Sequence, residues 1–188
     1  EPYANVTKYF VNGEMKLNED IGTFKRYAGT NGRTLTFQGT NKATDIINGQ
    51  NVYTGIHLSP GDTFALNNVS MKNFNCGDSG MGAAIYNIGG TISDATADFI
   101  SNTTFIGGVI YNEGKIDSIT GDFIDNSSER PGGAISNGTT GIVNIKTSDA
   151  KPNIIFSGNH VKSGTYYKGG AIYNEKEGEV GLYASDGH

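Results

Sequence analysis

Phe99-Ile-Ser-Asn-Thr-Thr-Phe-Ile-Gly-Gly-Val-Ile-Tyr-Asn112 is a stretch that the chain repeats. Phe123-Ile-Asp-Asn126 runs on to Gly132-Gly-Ala-Ile-Ser-Asn137, and Phe156-Ser-Gly-Asn159 runs on to Gly169-Gly-Ala-Ile-Tyr-Asn174. An earlier copy, degraded at its front half, reads from Phe74 to Gly82-Ala-Ala-Ile-Tyr-Asn87. The isoleucines at the centre of the second motif, Ile85, Ile110, Ile135 and Ile172, stand about 25, 25 and 37 residues apart, the last interval stretched by insertions. Periods of this size belong to solenoids, in which each repeat buries its apolar face against the next.

The local pattern selects the kind of solenoid. Each unit carries three short apolar clusters separated by Gly, Asn, Asp, Ser and Thr; in the second they are Phe99 with its neighbours, Val109-Ile110-Tyr111, and Ile116 to Ile119. No window keeps apolar residues at i, i+3, i+4 and i+7 long enough for a helix, and glycine interrupts each candidate. Three strands and three turns fill one rung of a parallel β-helix. Side chains alternate along a strand, so in Ala84-Ile85-Tyr86-Asn87 isoleucine and asparagine share one face and tyrosine takes the other. The tyrosine position becomes Ser136 in one copy while isoleucine persists in all four. This places Ile85, Ile110, Ile135 and Ile172 inside as an aliphatic stack, with Phe99, Phe123 and Phe156 stacked on another wall. Asn87, Asn112, Asn137 and Asn174 fall on the inner side at a strand end, where amides can bond to the copy one rung away, about 4.8 Å distant. Asn102, Asn126 and Asn159 form a second such ladder, and the Gly-Gly pairs suit a turn at positive φ.

At these residues the chain resembles a known family. Alternating Gly-Gly-Ala-Ile and Phe-x-x-Asn motifs are similar to the repeats of chlamydial polymorphic outer-membrane proteins, and more broadly to passenger domains of autotransporter-type adhesins. Two complete Gly-Gly-Ala-Ile copies begin at Gly132 and Gly169; Gly82-Ala-Ala-Ile and Gly107-Gly-Val-Ile differ by one residue each. Phe-x-x-Asn begins at Phe99, Phe123 and Phe156, while Phe74-Asn-Cys-Gly lacks the asparagine. The resemblance covers roughly residues 66–180. It implies a right-handed parallel β-helix exported to the cell surface, a non-enzymatic adhesin binding a host cell-surface protein or glycan. It also implies a parent chain anchored in the outer membrane by a C-terminal β-barrel translocator.

Composition agrees with a narrow core. Only 36% of the residues are hydrophobic and 28 are glycine, yet ten Tyr, nine Phe and regular β-branched clusters separate this chain from a disordered one. A net charge of −5 without basic runs disfavours nucleic acid and anionic membranes. The single cysteine, Cys76, excludes an intramolecular disulfide. No stretch approaches 18 consecutive apolar residues, so membrane insertion of this chain is not expected.

In chain order, residues 1–28 do not repeat and are the candidate N-terminal cap, with Val6, Tyr9, Phe10 and Val11 fitting a short helix or a strand. The β-helix is expected over 29–188, with motif-bearing rungs about 66–188. Alternation begins at Thr34 (Leu35 and Phe37, Ile46-Ile47, Ile56 and Leu58, Phe64 and Leu66), with corners at Asn48-Gly49 and Pro60-Gly61-Asp62. The longest insertions follow Ile145, through Lys151-Pro152, and Asn159, through Tyr166-Tyr167-Lys168. Val180 and Leu182 start a further rung, and an end at His188 reads as a cut in a longer solenoid.

Catalytic signals are weak. His57, His160 and His188 have no metal-ligand partner at short spacing, and no glycine cluster is followed by Lys-Ser/Thr. Asp98 and Asp122 repeat in register, which would suit a carbohydrate-active β-helix enzyme, but Ile155 takes that place in the next unit and repeating aspartates commonly cap turns. Asn-x-Ser/Thr at Asn5, Asn68, Asn102, Asn126 and Asn137 is about what chance gives. No catalytic residue, metal or cofactor is expected; the rivals to an adhesin are that enzyme and a structural stalk. The candidate binding residues are an outward strip, Tyr86, Tyr111 and Tyr173, with Tyr166 and Tyr167 on a nearby loop, since exposed aromatic rows suit sugar rings or a partner's apolar surface.

Overall fold

The computed structural model describes residues 6–23, 32–162 and 168–184. They form successive coils. The first is β1 (Val6–Phe10), β2 (Glu14–Lys16) and β3 (Gly22–Thr23); the second is β4 (Thr34–Gln38), β5 (Ile46–Asn48) and β6 (Ile56–Leu58). The third is β7 (Thr63–Asn67), β8 (Ser70–Lys72) and β9 (Ile85–Asn87). The fourth adds a strand: β10 (Thr91–Thr96), β11 (Phe99–Ile100), β12 (Thr103–Thr104) and β13 (Ile110–Asn112). The fifth is β14 (Lys115–Ile119), β15 (Phe123–Ile124), β16 (Ser127–Ser128) and β17 (Ile135–Asn137). The sixth is β18 (Ile142–Lys146), β19 (Phe156–Ser157), β20 (His160–Val161) and β21 (Ile172–Asn174), and β22 (Glu179–Tyr183) continues the stack.

All pairings between these strands are parallel, each strand bonding to its equivalents one coil before and after. Among the described residues they align as a seven-stranded sheet from β1 to β22, two six-stranded sheets (β2 to β19 and β3 to β21) and a three-stranded sheet, β12-β16-β20. The fold is therefore the all-β parallel β-helix expected, and parallel crossovers of this kind coil right-handed as a rule. The fourth strand was not expected. Its Thr103-Thr104 and Ser127-Ser128 pairs carry no apolar signal and hold the register through hydroxyls, Thr103 Oγ1 lying 3.3 Å from Ser127 Oγ.

The interior follows the repeat. Ile85, Ile110 and Ile135 are fully buried, and Ile172 is half-buried against the same core. Their register is direct, and it continues one coil further to Ile56, outside the recognised motifs. Each fully buried isoleucine contributes about 1.5–3 kcal/mol of hydrophobic stabilisation. On the second wall, Phe99, Phe123 and Phe156 stack with centroids 4.9 and 4.8 Å apart and planes within 13° and 4°. That spacing is the rung repeat itself.

One assignment needs correction. Met71, not Phe74, is the partner of Phe99, and Ile47 and Met15 continue the wall. Phe74 occupies the position of the inner asparagines instead, its backbone N–H donating to Asn102 Oδ1 at 2.9 Å. The motif is displaced by three residues there because a buried phenyl ring, rather than an amide, fills the corner. Preceding that position, Asn73, Ser101, Asp125 and Gly158 take positive φ in four successive coils, which turns the next residue inward.

Both asparagine ladders form. Asn87, Asn112 and Asn137 each donate Nδ2 to the next Oδ1 at 2.8 Å, ending on Asn174. Asn102 donates to Asn126 and Asn126 to Asn159, both at 2.9 Å. Each amide also serves its own coil; Asn87 accepts from Gly90 N–H at 2.8 Å and donates to Gly90 C=O at 3.1 Å. Asn87, Asn102, Asn112, Asn126 and Asn137 are fully buried yet satisfied, which removes the penalty of an orphaned polar group. At the turn before β17, Gly132 has φ +88°, and a Cβ there would come 2.6 Å from the carbonyl oxygen of Ile135. Glycine is required at that site for both reasons.

Residues 6–23, within the segment expected to cap the solenoid, are themselves a coil, with Val11 buried and Tyr9 and Phe10 exposed. The insertion after Ile145 forms a tight turn in which Ser148 and Lys151 bond each other's backbone.

Candidate functional site

The middle residues of β6, β9, β13, β17 and β21 face away from the isoleucine–asparagine interior. They are His57, Tyr86, Tyr111, Ser136 and Tyr173, in direct register from coil to coil. Alternation along a three-residue strand forces this: burying Ile110 and Asn112 sends Tyr111 outward. The structure thus brings Tyr86, Tyr111 and Tyr173 onto one strip, joined by His57, which the sequence motifs did not reach. Tyr166 and Tyr167 lie outside the described residues.

The rings lean on one another. The His57 and Tyr86 centroids are 4.6 Å apart, and those of Tyr86 and Tyr111 5.6 Å apart at 50°. Aromatic pairs of this kind add about 0.5–1.5 kcal/mol each beyond area burial. All four side chains are half-buried, each presenting part of its ring to solvent. Tyr111 donates its hydroxyl to Glu113 Oε1 at 2.6 Å. Burial, and then that carboxylate, push its ionisation well above the usual tyrosine range, so it remains a neutral donor. The same ring lies over Gly107, where any Cβ would strike Tyr111 Cδ2. The glycine that turns the chain therefore also seats the tyrosine. Burial holds the His57 imidazole below its ordinary pKa, against the opposing pull of Asp62.

Ser136 interrupts the strip. Its small side chain is buried, and a cavity of about 320 Å³ opens there, bounded by Tyr111, Ser136, Tyr173, Arg130, Pro131 and Glu175. The Arg130 guanidinium is held 5.7 Å above the Phe105 ring. A second, larger cleft of about 480 Å³ lies at the His57 end, between Asp20, His57, Tyr86 and the 76–82 turn. Cys76 borders it, half-buried, with Sγ 3.0 Å from Thr104 Oγ1.

The repeating aspartates link one coil to another. Asp98 accepts Lys42 Nζ at 2.6 Å and the Asp122 N–H at 2.8 Å; Asp122 accepts Lys151 Nζ at 2.6 Å and the Ile155 N–H at 2.8 Å. Each carboxylate thus bonds one lysine and one backbone N–H of the next coil, and the series ends at Ile155, where the repeat loses its aspartate. Asp45 instead caps the turn before β5: it accepts from the backbone N–H groups of Thr40 and Asn41 in its own coil and of Gly13 in the preceding one, which hold its carboxyl far below the usual range. Asn102, Asn126 and Asn137, inside three of the Asn-x-Ser/Thr triplets, are fully buried in the ladders. His160 is exposed, its Nδ1 3.0 Å from the Gly158 carbonyl, and His188 lies outside the described residues. Among the described residues no group of three His, Cys, Asp or Glu side chains could hold a metal, and no helix is long and apolar enough to cross a membrane.

With this geometry in view, residues 153–175 match the family model of the Chlamydia polymorphic membrane protein repeat. The match spans Phe156-Ser-Gly-Asn159 and Gly169-Gly-Ala-Ile-Tyr-Asn174, the unit whose phenylalanine, asparagines and isoleucine extend the interior stacks. The chain thus carries a repeat typical of autotransporter passenger domains. No curated protein and no solved structure matches the chain at a significant level.

Proposed function

We propose that this β-helix is a non-enzymatic adhesin passenger, displayed on a bacterial surface and binding a host cell-surface protein or glycan through the side of the solenoid. The observation that carries the reading is the outward ladder of His57, Tyr86, Tyr111 and Tyr173. The interior already supplies what folding needs through isoleucine, phenylalanine and asparagine stacks, so a row of half-exposed rings is surplus to it. Aromatic side chains offer large contact area at low entropic cost, and they recur as anchors of interfaces. The repeat at residues 153–175 supports surface display, and a β-barrel anchor elsewhere in the parent chain is part of the same proposal. Engagement of Asp98 and Asp122 with lysines and backbone N–H groups weighs against a carboxylate-driven glycosidase.

The test is a triple variant, Tyr86→Ser, Tyr111→Ser and Tyr173→Ser, for which Ser136 is the internal precedent. Its circular dichroism should match the parent with a modest loss of melting temperature, while attachment of the labelled chain to cultured epithelial cells should fall at least tenfold. A collapsed fold would make the strip structural, and full attachment by the folded variant would place the binding face elsewhere.

A further inference from the structure

Resting on that reading, and narrowing its ligand, we infer that the notch at Ser136 is a subsite for a single uncharged pyranose ring of a glycan. The notch exists because one tyrosine is missing from a ladder. Tyr111 and Tyr173 are the register neighbours of Ser136 on either side. They are therefore two rung spacings apart, about 9.6 Å. A puckered saturated ring with a stacking contact of about 4 Å on each side fills such a gap. The cavity of about 320 Å³ is at the small end of ligand sites, the size for one ring rather than an extended ligand.

The chemistry of the walls selects the guest. Two of the residues that bound the notch are tyrosines, a side chain whose ring packs well against the C–H faces of a sugar. Tyr111 has already committed its hydroxyl proton to Glu113, so toward a ligand it offers its ring and an oxygen that can only accept. The rim carries a guanidinium on Arg130, a carboxylate on Glu175 and the hydroxyl of Ser136. A rim that carries both donors and acceptors matches a ring bearing several hydroxyls, each of which both gives and accepts hydrogen bonds. An aromatic side chain of a partner protein has one hydroxyl at most and uses little of that rim. One positive and one negative rim group balance, which favours a neutral sugar over an acidic one. The Arg130 guanidinium is held over the Phe105 ring before any ligand arrives, which lowers the cost of ordering it.

The experiment is saturation-transfer NMR on the 188-residue chain with the methyl glycosides of glucose, galactose, mannose and N-acetylglucosamine, and a sialic acid glycoside as the anionic arm. At least one neutral glycoside should bind in the millimolar range. Ser136→Tyr, which fills the notch with the side chain used in three sister coils, should weaken that binding at least tenfold without lowering the melting temperature. Glu175→Ala, a change on the rim, should weaken it several-fold and keeps the test decisive should the tyrosine variant fail to fold. Absence of neutral glycoside binding, a preference for the sialic acid glycoside, or binding unchanged in both variants would overturn the inference. If the triple tyrosine variant loses cell attachment while Ser136→Tyr retains both attachment and glycoside binding, the notch is refuted and the adhesion reading stands. If glycoside binding responds to Ser136→Tyr but the triple variant still attaches fully, the notch stands and the adhesion reading falls.

Discussion

Replacing Asn112 by alanine tests the inner ladder, because the same change at Asn174 gives a matched control on the same stack. Asn112 is fully buried; it accepts from Asn87 at 2.8 Å and donates to Asn137 Oδ1 at 2.8 Å and to the Gly114 carbonyl at 3.0 Å. Truncation removes these bonds at about 1 kcal/mol each and strands buried partners, Asn137 Oδ1 first, at about 1–3 kcal/mol per group. A loss of about 4 kcal/mol is therefore expected for Asn112→Ala. Asn174 accepts from Asn137 and donates to Gly178, but it is exposed, so water replaces the missing partner and the loss should stay near 1 kcal/mol. Urea unfolding followed by far-UV circular dichroism reads both values. Hydrogen exchange locates the damage, which nearest-neighbour coupling confines first to the coils flanking Asn112. Two variants within about 0.5 kcal/mol of each other, a difference at the limit of such measurements, would refute the claim that the buried amides hold the coils together.

Two further outcomes follow from the same interior and its caps. Asp45 has its carboxyl lowered by backbone N–H groups, so its contribution is present at neutral pH and is lost as pH falls below about 4, the unfolded value. Asp45→Asn should be less stable than the parent at pH 7, with the gap narrowing in thermal melts toward pH 2; a gap independent of pH would remove the cap from the account. Ile110→Asp places a charge between the buried Ile85 and Ile135 and should cost more than about 4 kcal/mol, unfolding several coils. An unchanged melting curve for that variant would contradict the register.

The period made most of the interior legible before any coordinates. Ile110, Phe123 and Asn137 recur as identical side chains because each must touch its own copy one rung away, and that constraint is written into sequence. Where a position is satisfied by a different chemistry the motif vanishes although the geometry continues. Ile56-His57-Leu58 keeps the register of Ile85-Tyr86-Asn87 with leucine where the amide would be, and Met71 and Ile47 extend the phenylalanine wall. Phe74 misled for the same reason: the same residue type serves a different corner. The β12-β16-β20 sheet was invisible because Thr and Ser pairs read as turn. As for the strip, alternation gave the outward direction of Tyr86, Tyr111 and Tyr173, and the register gave their alignment. The notch was not legible, since its rim comes from Arg130 on a turn and Glu175 beyond a strand, positions that no repeat singles out.

Hydroxyl-radical footprinting of tyrosines, read by mass spectrometry on the free chain and on chain bound to cells, tests the binding face most directly. Ring oxidation does not depend on phenol ionisation, so the raised pKa of Tyr111 does not mask its response. Tyr9 and Tyr183, 55% and 52% exposed and away from the strip, serve as internal controls. Protection of Tyr86, Tyr111 and Tyr173 with Tyr9 and Tyr183 unchanged is the predicted result; equal oxidation of the strip in both states, or protection of the two controls alone, would contradict it.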